Sequence, residues 1–189
     1  MILEGLVTTT DADSGPHLAP MGPRVSGDFA RFLLRPFPTS QTYKNLLARG
    51  EGVLHVTDDA LLVARSAVGA VVVPPEYRPA NVVKGFVLAD YCRAFEFVVD
   101  SVASSPERVK IECAVVHTHR GRDFFGFNRA KHAVLEAAIL ATRLHLIPHA
   151  EVAAEYKKLR VVVEKTGGPA EFEAMDFLDQ HLRAAGETP

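Results

Sequence analysis

Arg35-Pro36-Phe37-Pro38-Thr39-Ser40-Gln41-Thr42-Tyr43-Lys44-Asn45 reads as a strand end, a proline stop and a helix start in immediate succession. Phe29 to Arg35 has strand texture and is halted by the two prolines. Thr39 or Ser40 then offers an N-cap to a helix carrying Tyr43, Leu46 and Leu47, which Gly50 ends. Gly52 to Thr57 returns as a strand, so the unit is strand, short helix, strand. This junction combines a fixed cation, several hydroxyl donors and free backbone N–H groups at the positive end of a helix dipole. A phosphate monoester needs such a set. Arg35 can give two parallel donors, and Ser40 and Thr42 can donate while their amides point the same way. The alternative is an ordinary capped helix after a surface arginine. No Gly-x-x-x-x-Gly-Lys spacing is present, so a nucleoside triphosphate loop is not indicated.

Upstream, Ile2 to Thr10 reads as a strand, and Asp11-Ala12-Asp13-Ser14-Gly15 has hairpin-loop chemistry, with Gly15 able to take positive φ. The return strand, Pro16 to Val25, carries prolines at 16, 20 and 23. Each removes a ladder donor, which predicts an edge position or a break. Along Pro20, Met21 and Gly22 the unpaired carbonyls and amides would suit a planar heterocycle, and Gly22 would admit it close to the backbone. Equally, the prolines can simply guard an edge against aggregation.

Downstream, Asp59 to Val68 has helical spacing but runs into β-like Ala70 to Val73, which leaves the element type open. Tyr91 to Val102 alternates and is matched in length by Arg108 to Thr118, predicting a hairpin through Ser104-Ser105-Pro106 and six strands in all. Beyond Phe127 the pattern is helical. Asn128 caps a helix over Arg129 to Leu146, with Ala130, Val134, Ala137, Ala141 and Leu144 in one stripe widened by Leu135, Ile139 and Leu146. Pro148 opens a second helix to about Lys165, and Ala170 to Ala185 forms a third with Phe172, Met175, Phe177 and Leu178 inward. The expected organisation is a β-barrel-like domain over 1–125 and a three-helix segment over 126–189.

Composition narrows the function. The chain has 189 residues, 48% hydrophobic and 23% charged, which is ordinary globular material. A net charge of -2 supplies no field for a polyanion, so no nucleic-acid partner is expected. Apolar runs fall short of a membrane span, and the first residues lack a secretory pattern, so no membrane association and a cytoplasmic address are expected. Cys92 and Cys113 fall in strand-like stretches and read as buried thiols. His117-Thr118-His119 places two rings on one strand face, but no matching ligand pair is visible and no metal is assigned. Arg120, Arg122, Arg129 and Lys131 make a cationic junction before the helices, facing an anionic ligand or solvent. With no nucleophile elbow or triad order, the catalytic residues are unknown.

Taken in order, Ile2-Leu3-Glu4-Gly5-Leu6-Val7-Thr8-Thr9-Thr10, Ala19-Pro20-Met21-Gly22, Arg35 to Asn45, and Phe125-Gly126-Phe127-Asn128-Arg129-Ala130-Lys131-His132-Ala133-Val134 resemble an uncharacterised family of small flavoproteins. That family has the split-barrel FMN-binding fold and is related to flavin reductases and pyridoxamine-phosphate-oxidase-like proteins. The resemblance implies a mainly β protein with α-helices, a split β-barrel followed by a three-helix C-terminal segment. It implies FMN in a groove of a homodimer, with the phosphate near Arg35, Ser40, Gln41 and Thr42 and the ring along Pro20, Met21 and Gly22; Thr39 and Asn45 of the same segment complete the candidate cofactor-binding residues there. Asn128 and Lys131 join the candidate cofactor-binding set through the last motif. The implied function is an oxidoreductase in which the isoalloxazine carries electrons, taking hydride at N5, while the protein orients it. A small-molecule donor or acceptor, such as a reduced nicotinamide, would dock transiently, since no Gly-x-Gly-x-x-Gly fingerprint exists. The other reading is a non-catalytic flavin- or ligand-binding homodimer serving as carrier, sensor or assembly factor.

Overall fold

Strands β1 (Gly5–Thr10) and β2 (Pro16–Met21) form the opening antiparallel hairpin, in register from Gly5 opposite Met21 to Thr10 opposite Pro16. Its loop is closed by Asp11, whose Oδ1 accepts the Gly15 N–H at 2.8 Å. The left-handed residue there is Ser14, at φ 67°, and not Gly15. A short polar side chain next to the Asp11 turn accepts this conformation.

Strand β3 (Arg24–Val25) pairs with β4 (Arg31–Leu34), which is followed by helix α1 (Gln41–Arg49) and β5 (Glu51–Val56). The computed structural model describes residues 1–104, 109–124 and 126–186. Beyond β5 come α2 (Ala60–Ala67), the short strands β6 (Tyr77–Pro79) and β7 (Phe86–Leu88), and the long strands β8 (Arg93–Ser104) and β9 (Val109–Arg120). Helices α3 (Arg129–Ala141), α4 (His149–Thr166) and α5 (Pro169–Gly186) finish the chain. Two compact units result: Met1–Thr57 with Pro74–Phe124, and Asp58–Val73 with Phe125–Pro189.

In the first unit the seven-stranded sheet runs β2-β1-β5-β8-β9-β4-β3. The proline-bearing segment therefore supplies both edges, β2 at one and β3 at the other, as the missing donors demand. The sheet curls until residues 1–3 meet β3. Leu3 donates to the Pro23 carbonyl and Val25 to that of Met1, both at 3.0 Å. Inside the curl lie Val7, Phe32, Leu34, Leu46, Leu54, Phe95, Phe97 and Ile111. The β6–β7 hairpin covers the other face of the central strands over Val53, Val83, Val87 and Ala94.

Among the described residues nine strands replace the expected six: the Pro16 to Val25 strand is broken into β2 and β3, and β6 and β7, three residues each, are too short to show a period. The β8–β9 ladder is as expected, with bulges after Glu96 and Val99; the turn assigned to Ser104-Ser105-Pro106 reaches residues outside those described. Both cysteines are free and buried.

The second unit has its own core of Ala64, Ala130, Val134, Ala137, Val152, Val163, Met175 and Leu178. Helix α2 contributes to it, which settles Asp59 to Val68 as helix. Asn128 caps α3 as anticipated, but the helix ends at Ala141, short of Leu146, which is exposed. Residues 142–146 run on as turns, and Ile147, directly before Pro148, is disfavoured in the α region. Phe172, expected inward, lies toward solvent, while Met175 and Leu178 are buried. Tyr156 spends its hydroxyl on the Ala137 carbonyl at 2.7 Å, tying α4 to α3. Among the described residues no helix is long and apolar enough to cross a membrane.

Candidate functional site

The corner between β4 and α1 forms as the sequence dictates. Pro36 and Pro38 stop the strand, and Ser40 becomes the N-cap, its Oγ accepting the Tyr43 N–H at 3.2 Å and donating to the Phe37 carbonyl at 2.8 Å. Gly50 closes α1 in the left-handed region at φ 69°. No acidic residue occupies the first turn of α1, so the positive helix end is not neutralised from within. Thr39 and Gln41 are exposed and Thr42 is buried.

Arg35 follows β4 directly. Its Nε is buried and finds no hydrogen-bond partner among the described residues. A buried donor left unpaired is costly, and guanidinium nitrogens are almost always satisfied.

Further along α1, Gln41 Nε2 donates to Asn45 Oδ1 at 2.7 Å, and Asn45 Nδ2 donates to Thr9 Oγ1 at 2.9 Å. Asn45 and Thr9 are both buried. Thr9 was not among the sequence candidates. A threonine in a strand is usually ordinary sheet material, and only the burial of the whole run Gly5–Thr10 marks it as a polar residue inside a core.

Pro20 and Met21 lie on the edge strand β2 and Gly22 just beyond it, all half-buried. A Cβ on Gly22 would come within 2.9 Å of the Glu4 carboxylate and 3.1 Å of Ile2, so that side of the glycine is filled by the chain's own first residues. On the same strand, burial lowers the pKa of His17, with Asp11 opposing.

Asn128 and Lys131 stand in the second unit with partners of their own. Asn128 Oδ1 accepts from Ala130 and Lys131 N–H and its Nδ2 donates to the Thr166 carbonyl, while Lys131 Nζ binds the Asp58 carboxylate and carbonyl at 2.8 Å each. Phe125 of the same motif is outside the described residues. In the first unit Arg122 is paired with Asp90 at 2.7 Å. Hydrogen bonds thus join Gln41, Asn45 and Thr9, and Ser40 caps the same helix; Arg35 lies five residues before that cap in the chain. Burial pushes the Cys113 thiol up, away from the thiolate form.

Several solved structures share this fold. An FMN-bound protein from Methanosarcina mazei superposes with a TM-score of 0.84 at 24% identity, over 95% of this chain and 94% of that one. The 2-nitrobenzoate 2-nitroreductase of Pseudomonas fluorescens gives 0.54 at 16% identity, over 62% of this chain and 64% of that one. Component B of nitrilotriacetate monooxygenase from Mycobacterium thermoresistibile gives 0.54 at 13% identity, over 65% and 71% respectively. The fold is a split barrel of the flavin-reductase-like kind with added helices. No curated protein matches the chain. Residues 3–122 fit the profile described as the N-terminal domain of a protein of unknown function (DUF447), and residues 128–180 fit the companion DUF447 profile. With both profiles matched in order along its length, the chain belongs to the DUF447 family.

Proposed function

We propose that this protein binds FMN by its phosphate at the β4–α1 corner and, as a homodimer, passes electrons between a small-molecule donor such as a reduced nicotinamide and an acceptor. The observation that carries the reading is the buried, unpartnered Nε of Arg35, five residues before the capped start of a helix with no acid in its first turn. The FMN-bound relative from Methanosarcina mazei, alike over nearly its full length, supports the choice of ligand.

Arg35 and the Gln41 and Thr42 amides would hold the phosphate, with the Ser40 hydroxyl available if it leaves the Phe37 carbonyl. Asn45 would act indirectly by fixing α1 against β1. Bound FMN would supply the redox chemistry, so no side chain need serve as acid or base.

Purified protein tests this directly. A yellow preparation whose flavin absorbance bleaches on adding reduced nicotinamide supports the full reading. Colour without bleaching would keep the binder and remove the nicotinamide oxidoreductase. Protein that stays colourless with added FMN would overturn both. Light scattering tests the dimer.

A further inference from the structure

Outside the β4–α1 corner, Glu96 of β8 has no solvent exposure. Its Oε1 accepts the Asn81 N–H at 2.7 Å, and its Oε2 accepts those of Val82 and Val83 at 2.7 and 2.9 Å. One carboxylate thereby organises the turn between β6 and β7. Opposite Glu96 in the ladder stands His117 of β9, and two residues on, across from Ala94, stands His119. The two imidazoles share a face with ring centroids 4.6 Å apart. His119 Nε2 lies 2.6 Å from Glu96 Oε1, and the Asn81 side-chain amide lies 3.1 Å from His117 Nε2. One ligand atom from each of Glu96, His117 and His119 falls within 4.8 Å of the other two.

We propose that Glu96, His117 and His119 form a binding site for a divalent cation of the zinc type. Two imidazoles and one carboxylate are the donor set of open zinc sites, in which water takes the fourth position. With metal–ligand bonds of about 2.0–2.2 Å, neighbouring ligands in a tetrahedron sit roughly 3.3–3.5 Å apart, so the Glu96–His119 pair must open by roughly an ångström while any pair near the 4.8 Å limit closes by about as much. Orientation is already supplied, since the three amides hold the carboxylate as an outer shell holds a metal ligand. The site is also reachable. His117 and His119 are half-buried, and the Tyr91 ring, with its centroid 6.2 Å from that of His119, backs the site on one side. A buried anion in this setting calls for a cation, and zinc replaces the Glu96–His119 hydrogen bond with two coordinate bonds.

The sequence reading assigned no metal because it sought a second ligand pair along the chain. The third ligand comes instead from the neighbouring strand, at a bulge.

Tag-free protein stripped with EDTA, then titrated with Zn2+ against a chromophoric chelator, tests the site without reference to flavin. The expected result is one Zn2+ per chain, retained through gel filtration and counted by mass spectrometry. His117→Ala and His119→Ala should each weaken binding at least roughly tenfold, while His132→Ala on α3 leaves it unchanged. Zn2+ should raise the melting temperature of the parent protein but not of these two variants. His117→Gln, checked for folding in EDTA, replaces His117→Ala should that variant fail to fold. Absence of stoichiometric binding, or equal binding by all variants, would overturn the site and leave Glu96 as a clamp on its turn.

Discussion

Asn45 Nδ2 donates to Thr9 Oγ1 across 2.9 Å inside the first unit, linking the helix after the candidate phosphate corner to the first strand of the barrel. The same side chain accepts from Gln41 at 2.7 Å, so one buried amide serves two elements. Asn45→Ala strips a partner from the buried Thr9 hydroxyl, and the expected loss is about 1–3 kcal/mol of folding stability. Urea denaturation reads the first effect. An FMN titration of the folded variant should show weaker binding as α1 loosens.

Arg35 calls for the opposite pattern. Arg35→Ala removes a buried donor that is unpaired among the described residues and with it a half-buried stem; these effects oppose each other, so the unfolding free energy should change by less than about 1 kcal/mol. Affinity for FMN should fall by about 1.5–3 kcal/mol, the range for a hydrogen bond to a charged group. Fluorescence titration decides, and unchanged affinity would remove Arg35 from the corner.

His55 sets a pH dependence. Its Nε2 accepts the Leu88 N–H at 3.1 Å, and its Nδ1 lies 3.3 Å from the Leu6 carbonyl, which fits a neutral ring protonated on Nδ1. Burial pulls its pKa from 6.5 down to about 4, with the Leu6 bond opposing and the charge of His119 adding. In the unfolded chain the ring takes up a proton near pH 6.5, whereas in the fold it stays neutral until about pH 4. Stability is therefore full above that window and is lost as pH falls through it, by ~3 kcal/mol in all for this group. Denaturation curves near neutral pH and near pH 4, with proton uptake measured on unfolding, check the sign; a flat profile would contradict it.

In the helical unit, Tyr156→Phe removes the hydroxyl that reaches the Ala137 carbonyl. The packing is kept, so the expected cost is about 0.5–1.5 kcal/mol, read by thermal or urea unfolding.

What could be read from the amino acids was whatever is encoded locally. Ser40, Gly50 and Asn128 cap helices because the capping atoms lie within a few residues of the groups they satisfy. Prolines 16, 20 and 23 foretold the edges through a donor that each one lacks. Features set by distant neighbours were not legible. The alternation of Tyr91 to Val102 does not reveal that Glu96 is buried, because its strand packs Phe95 and Phe97 on one side and Ala94 on the other. Thr9 was hidden for the same reason: its partner is 36 residues away. The Arg35 corner was visible as a pattern, but the burial of its unpaired nitrogen is a property of the folded chain that no local pattern encodes.

The two-sided packing of β8 carries a further consequence. From Ala94 to Phe97 no position is more than 6% exposed, so no side chain there can escape a poor fit by turning outward. Homologues diverging in sequence have little latitude along this strand and must vary elsewhere. A saturation library should accordingly show its sharpest intolerance at these four consecutive codons, without the every-other-residue rhythm that a half-exposed strand produces.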